Sequence, residues 1–345
     1  MNTTGKHFMG CALVMVILAA MLFAGCTTQP TTPTTPTPTA TATPTATATP
    51  VAHSPDTLLI ATTTSLYDTQ LLNAVQDYYE NKTGIKLKIT SQGTGIAIQV
   101  ATRGDCDLLL VHSPSQEKTF IDKGLGINQR CFAYNYFEIV GPESDPAGIK
   151  GLTPEAAFQK IYMLGANNTP GVYFASRGDQ SGTHSAEQTI WKNAGFNYTN
   201  QVVNAGPWYL SVGKGMGETL TLASQKGAYT LTDEGTFLAF KSGLSLVPQI
   251  TEGTSLLNRY SAIAVNPEKQ NANVNIVEAD RFINWLTSDE GKQFVGNYGV
   301  DKYGKSLFVP LMPYTHVTSG GQVLETPMCG VTPFNCTCDG AVSPA

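Results

Sequence analysis

The sequence predicts an α/β protein built on an open parallel sheet, and three observations carry that reading. Short apolar runs alternate with stretches of helical periodicity, each run enters its helix through a turn of small hydroxyl and glycine residues, and no internal repeat is evident. Three such units follow one another. Residues 58–61 lead through Thr62-Thr63-Thr64-Ser65 into a helical pattern over 66–79. Residues 85–90 lead through Ser91-Gln92-Gly93-Thr94-Gly95 into an apolar helix over 96–102. Residues 107–111 run into Ser113-Pro114-Ser115, where proline suits a first helical position. Sheets of this kind hold ligands at the carboxyl ends of their strands.

At 345 residues the chain is long enough for two domains with ample core, and its net charge of −5 argues against nucleic acid. No basic run interleaved with aromatics marks a phosphodiester groove. Lys6 and His7 precede an apolar run over 8–24 that ends in Leu22-Phe23-Ala24-Gly25-Cys26. Residues 1–26 therefore read as a lipoprotein-type signal peptide with Cys26 as the lipidated first residue of the mature chain, the alternative being an uncleaved anchor. Either places the remainder outside the cytoplasm, tethered to the membrane. Residues 27–55 are almost entirely Thr, Pro and Ala, a stalk with nothing to bury. Beyond the leader, four N-glycosylation patterns, at Asn81, Asn167, Asn197 and Asn335, are of a kind common by chance.

Alternation over 132–140 predicts a longer strand ending at Gly141-Pro142. Beyond it come helices over 154–163 and 181–194 around a strand over 172–174. Gly213-Lys214-Gly215-Met216-Gly217 reads as a tight turn before a helix over 218–225, since it lacks the spacing of a dinucleotide fingerprint. A strand over 228–231 leads through Thr232-Asp233-Glu234-Gly235 into a helix reaching Phe240, followed by strands over 246–250 and 260–265 and helices over 274–286 and 290–298.

The stretch richest in chemistry is Ser176-Arg177-Gly178-Asp179-Gln180-Ser181-Gly182-Thr183-His184. A helix N-terminus carries unpaired N–H groups and about half a positive charge, so Ser-Gly-Thr at that point offers an oxyanion converging donors. Arg177 adds a permanently charged planar fork. The plainer reading is an arginine in a surface turn before a helix cap. Ser181 with His184 invites a hydrolase reading, but no nucleophile elbow surrounds Ser181. His112 and His184 read as packing or cap residues, because no metal-ligand spacing accompanies them.

The motifs Thr62–Ser65, Gly93-Thr94-Gly95, Leu109-Leu110-Val111-His112-Ser113, Ile139-Val140-Gly141-Pro142, Asp145-Pro146-Ala147-Gly148-Ile149, Ser176–Asp179, Ser181–His184 and Tyr229–Asp233 occur together and in order. In this the chain, over about 56–310, resembles the tungstate-binding proteins of the TupA type, solute receptors of ABC importers. The resemblance implies an α/β, two-lobed type II periplasmic-binding-protein fold with two crossover strands, placed here near 137–141 and 257–265. Lobe 1 then comprises 56–138 and 258–312, lobe 2 comprises 139–257, and 313–345 form a cysteine-containing tail. It implies no enzyme and no cofactor, with tungstate as ligand and a membrane permease and ATPase as partners of a monomeric receptor. Carried over by position, the oxyanion ligands are Thr63, Thr64, Ser65, Arg177, Ser181, Gly182 and Thr183. Thr94 and Gly95 are added because their turn opens the next helix.

Unprotonated tungstate, molybdate and sulfate would be repelled by a carboxylate that protonated phosphate would welcome. Asp179, the one acid in the motif, is therefore expected to orient Arg177 or cap a turn. Tungstate and molybdate are alike in size and charge, so molybdate, sulfate and phosphate stand as alternative cargoes. Apart from Cys11 and Cys26, five cysteines remain: Cys106, Cys131, Cys329, Cys336 and Cys338. Outside the cell disulfides are expected, and an odd number leaves one thiol over. Cys329 with Cys336 or Cys338 is expected to staple the tail, a soft-metal site being the alternative.

Overall fold

The computed structural model describes residues 54–270 and 273–311 and, beyond them, only short strands in two hairpins, His316–Ser319 with Gln322–Glu325 and Asn335–Cys336 with Val342–Ser343. The proposed leader with Cys26, most of the stalk, and Cys329 and Cys338 lie outside the described residues.

The first strand, β1 (Thr57–Thr63), passes directly into α1 (Thr64–Asp68). The sequence predicts one helix over 66–79, but the chain breaks it at Gln70, whose φ of 66° is left-handed, and restarts as α2 (Leu71–Thr83). Thr69 makes the break possible, because its hydroxyl donates to the Leu66 carbonyl and accepts from the Leu71 N–H. Next come β2 (Lys86–Gln92), α3 (Thr94–Thr102), β3 (Leu108–Val111) and α4 (Pro114–Asp122). Strands β2, β1 and β3 lie side by side in parallel, as predicted, with β3 buried along its whole length.

The long strand β4 (Gly126–Pro142) departs from the all-parallel expectation. Up to Tyr136 it pairs antiparallel with β9 (Leu257–Val265), which itself runs antiparallel to β3. From Phe137 onward β4 pairs with β7 (Tyr229–Asp233) and β8 (Leu246–Ile250) instead. One strand thus serves two halves of the sheet. In the second half β5 (Phe174–Ser176) lies parallel to β7 and to β6 (Tyr209–Ser211). Strand β6 and the short π-helical turn Tyr198–Val202 have no signal in the sequence, since neither is long enough to show a period. Helices α5 (Pro154–Ala166), α6 (Gly182–Asn193), α7 (Met216–Lys226) and α8 (Glu234–Phe240) complete this half. The chain then returns through β9, α9 (Pro267–Gln270), α10 (Ile276–Leu286), α11 (Asp289–Asn297), α12 (Val300–Tyr303) and β10 (Val309–Pro310), which pairs with the early part of β4.

Each half has its own core on both faces of the sheet. Leu58, Ile60, Tyr79, Phe132, Tyr260 and Phe282 pack on one face of the first half, and Ala61, Leu109, Val111, Phe120 and Ile263 on the other. In the second half Phe158, Phe174, Trp191 and Trp208 face Met216, Leu220 and Phe237 across the sheet. Two separate cores joined by β4 and by the connection into β9 make two lobes, with the strand-to-helix turns of each at their contact.

Among the described cysteines Cys106 is a buried free thiol, pushed up to about 12 by burial, and Cys131 is disulfide-bonded.

Candidate functional site

The strand-to-helix turns of the two lobes touch. In lobe 1, Thr63 caps α1 by accepting from the Leu66 N–H at 3.2 Å, and in lobe 2, Ser181 caps α6 by accepting from the His184 N–H at 3.1 Å. Both hydroxyls are fully buried and keep their own O–H hydrogen for another acceptor. Helix α3 has glycine at its cap position and hence no side chain to satisfy its first N–H groups.

Arg177, 1% exposed, lies at the meeting point. Its Nη2 donates across the lobes to Thr64 Oγ1 at 2.7 Å and within its own loop to Asp179 Oδ2 at 2.5 Å. Asp179 Oδ1 accepts from the Ser181 N–H at 3.2 Å, so this carboxylate both orients the arginine and fixes the turn. Further bonds join the lobes: Gly95 N–H to the Gln180 carbonyl at 3.3 Å, Gln116 Nε2 to Ser185 Oγ at 2.9 Å, and Thr236 Oγ1 to the Ser65 carbonyl at 3.2 Å. Asp68 accepts from the backbone of Gly217 at the start of α7, and its carboxyl is raised chiefly by burial.

Buried polar groups are nearly always satisfied. Here Arg177 Nε and Nη1, Thr94 Oγ1 and Thr183 Oγ1 are buried with no hydrogen-bond partner among the described residues. All are N–H or O–H donors, and the arginine is cationic. They demand an acceptor bearing negative charge. Together with Thr63 and Ser181 they are six donors drawn from both lobes, the chemistry that an oxyanion with several equivalent oxygens fits.

Two predicted ligands are differently employed. The Gly95 N–H is spent on Gln180. The Ser65 hydroxyl is committed by a chain of hydrogen bonds whose direction a carbonyl fixes. Asn135 Nδ2 donates to the Leu307 carbonyl, so its Oδ1 accepts from Asn258 Nδ2 at 2.8 Å. Asn258 Oδ1 then faces His112 Nδ1 at 2.7 Å, which must carry the proton, and His112 Nε2 accepts from Ser65 O–H at 2.9 Å. Burial holds His112 neutral, lowering it to about 4. Ser65 keeps only its backbone N–H for a ligand.

The structure also brings in residues whose role sequence reasoning missed. His112 sits against Gly182 of the other lobe: a Cβ on Gly182 would stand 2.7 Å from His112 Nε2 and 2.8 Å from its carbonyl oxygen. Asp233, raised to about 6 mainly by burial, accepts from the Thr236 N–H at 2.9 Å, and its Oδ2 lies 2.8 Å from the Thr236 hydroxyl, which keeps that hydroxyl beside the Ser65 carbonyl of lobe 1. Membership of Leu109–Ser113 and Tyr229–Asp233 in the ordered motifs was the available signal. By contrast the Asp145 motif is structural, since Asp145 Oδ1 accepts from Tyr229 Oη at 2.6 Å and Tyr229 accepts from the Ala147 N–H at 2.9 Å. Ser181 and His184 do not form a nucleophile–base pair, because the His184 ring is bonded to the Gln180 N–H and to Tyr198. Among the described residues no group of three His, Cys, Asp or Glu side chains could hold a metal ion.

Residues 35–290 match the model of the PBP superfamily domain. A tungstate-binding protein TupA of Peptoclostridium acidaminophilum is 37% identical over 254 residues, covering 74% of this chain and 85% of that protein. The chain belongs to the TupA family of tungstate-binding proteins. A Haloferax volcanii protein described as an ABC transporter anion-binding protein is 44% identical over 263 residues, 74% of this chain and 72% of its own length. The solved TupA of Desulfovibrio alaskensis G20 is 38% identical, covers 74% of this chain and 99% of its own, and superposes with a TM-score of 0.61. TupA proteins are solute-binding proteins rather than enzymes, and their two-lobed architecture agrees with the two cores and shared β4 seen here.

Proposed function

We propose that this chain is the extracytoplasmic receptor of an ABC importer and holds tungstate between its lobes. One observation carries the reading: a buried arginine with two unpartnered nitrogens, in a cleft where two buried threonine hydroxyls are also unpartnered. Arg177, Ser181 and Thr183 bind from lobe 2, with the N-terminus of α6 at Gly182. Thr63 and Thr94 bind from lobe 1, Thr64 steadies Arg177, and Ser65 contributes its backbone N–H. Charge-assisted hydrogen bonds are worth about 1.5–3 kcal/mol each, and nanomolar binding requires about 12 kcal/mol, so six preorganised donors suffice.

The one carboxylate of the loop, Asp179, is occupied by Arg177 and the Ser181 N–H, which leaves a protonated oxyanion such as phosphate without that acceptor. Molybdate is the nearest competitor in charge and shape. A ligand touching both lobes favours their closed arrangement by its differential affinity, and a membrane permease with its ATPase would read that form. Lobe 1 comprises 56–138 and 258–312, lobe 2 comprises 139–257, and Cys26 anchors the monomer through the 27–55 stalk. Calorimetric titration with tungstate, molybdate, sulfate and phosphate tests the reading. Tight one-to-one tungstate binding is expected, and heat from phosphate alone would overturn it.

A further inference from the structure

Behind the oxyanion loop lies a carboxyl group that the binding contacts do not use. Glu187, on α6 and 2% exposed, accepts from Ser176 O–H through Oε2 at 2.6 Å. Its Oε1 accepts from Trp191 Nε1 at 3.0 Å and from Tyr209 O–H at 2.8 Å. Ser176 in turn accepts from the Gly178 N–H at 3.2 Å, which ties the start of the loop to Glu187.

The end of the loop is tied to the same group. The Gln180 N–H donates to His184 Nδ1 at 2.9 Å, so the neutral ring carries its proton on Nε2 and donates to Tyr198 Oη at 2.7 Å. The Gln188 side-chain amide lies 3.1 Å from the same nitrogen. Tyr198 passes its proton toward Tyr209 at 2.8 Å, and Tyr209 donates to Glu187. Two hydrogen-bonded arms, one from each end of 176–184, converge on one carboxyl group.

We propose that Glu187 is a positioning residue for the oxyanion loop and that filling the cleft with a dianion is coupled to proton uptake at its carboxyl group. The inference rests on the oxyanion reading above. Thr183, with its unpartnered hydroxyl, lies one helical turn before Glu187, and Ser176, bonded to Glu187, adjoins Arg177. A dianion held by these residues repels an ionised Glu187 through a low-dielectric interior. The groups facing Glu187 are Ser176 from β5, Tyr209 from β6, Tyr198 from the π-helical turn and Trp191 on α6. The charge of Asp179 adds to the repulsion, and no lysine or arginine among the described residues pairs with it. Burial already pushes Glu187 up to about 7, so the proton it takes is at hand near neutrality. Raising this group further on binding makes affinity greatest below its free value and weaker as pH rises through it.

The test is calorimetry of the full chain with tungstate in two buffers of different ionisation enthalpy, repeated from pH 6.5 to 8.5 and with Glu187→Gln. The wild type should take up about half a proton near pH 7 and lose affinity with rising pH, by at most about tenfold per unit. E187Q should bind independently of pH and take up no proton. Wild-type uptake in E187Q would move the proton to His184 or Asp233 and overturn the inference, as would a wild type that takes up none, a result needing no variant. A wild type silent to tungstate but not to another oxyanion would refute only the choice of cargo, and the same proton count read with that ion would decide. Silence to all four oxyanions removes the receptor reading and this inference together.

Discussion

Replacing Gly182 by alanine tests how the two lobes come together. The added Cβ would stand 2.7 Å from His112 Nε2 and 2.8 Å from the His112 carbonyl oxygen, about 0.7 Å inside the 3.4 Å at which ordinary contact begins. His112 has little room to yield, since it is bonded on both ring nitrogens and stacks on Tyr260 with ring centroids 5.0 Å apart. The α6 end must therefore back away from lobe 1. A shift of that size stretches the 2.7 Å Arg177–Thr64 bond and the 3.3 Å Gly95–Gln180 bond to or past the limit of a useful hydrogen bond. Overpacking costs about 1–3 kcal/mol, which is about 5- to 150-fold in dissociation constant. Gly93→Ala, meeting the Asp179 carbonyl at 3.0 Å, should cost less, Gly95→Ala at 3.2 Å less again, and Gly243→Ala, with nothing within 4 Å, should cost nothing. Calorimetric titration with tungstate reads the order. A Gly182→Ala variant binding as tightly as Gly243→Ala would refute the steric argument.

Arg177→Lys keeps the charge but discards the fork that supplies Nε and Nη1, so tungstate affinity should fall at least tenfold in calorimetry while the melting temperature changes little. Tyr229→Phe strips Asp145 and the Ala147 N–H of their partner and should cost about 1–2 kcal/mol in urea unfolding without changing oxyanion selectivity. Oxyanion-free stability should fall as pH rises from about 5 to 7.5, read by scanning calorimetry. Burial raises Glu117, Glu138 and Glu187 to about 7, so the folded state holds more protons than the unfolded state between about 4.5 and 7, and that stability is lost as pH rises. His112, lowered to about 4, and His184, also lowered by burial, work in the opposite sense, but Asp233, raised to about 6, adds to the three glutamates, so the carboxyl groups outnumber the imidazoles. The Cys106 thiol, pushed up to about 12, should react with thiol reagents only on unfolding, and stoichiometric labelling of the native chain would contradict its placement.

The parts of the site that were legible in the sequence are those in which a local pattern has a local cause. A strand, a hydroxyl-rich turn and a helix follow one another at Thr63 and at Ser181, and both residues do cap their helices. Asp179 could be assigned to Arg177 from their spacing and from the repulsion between carboxylate and oxyanion. What was not legible depends on residues far apart in the chain. The polarity of the Ser65 hydroxyl is set through His112, Asn258 and Asn135 by the carbonyl of Leu307. The break at Gln70 hides inside an unbroken apolar period, because Thr69 repairs the backbone locally and Leu71 re-enters the same core. The start of β4 before Phe132 is likewise hidden, since register shifts between Ile127 and Arg130 and between Cys131 and Ala133 break its alternation.

The central claim is that Arg177 and the hydroxyls around it hold an oxyanion between the lobes. Calorimetric titration of the full chain with tungstate, repeated on Arg177→Ala, tests it most directly. One tight site per chain, lost in the variant and weak toward sulfate and phosphate, is the predicted result. Tungstate binding that survives Arg177→Ala with its affinity intact would contradict it.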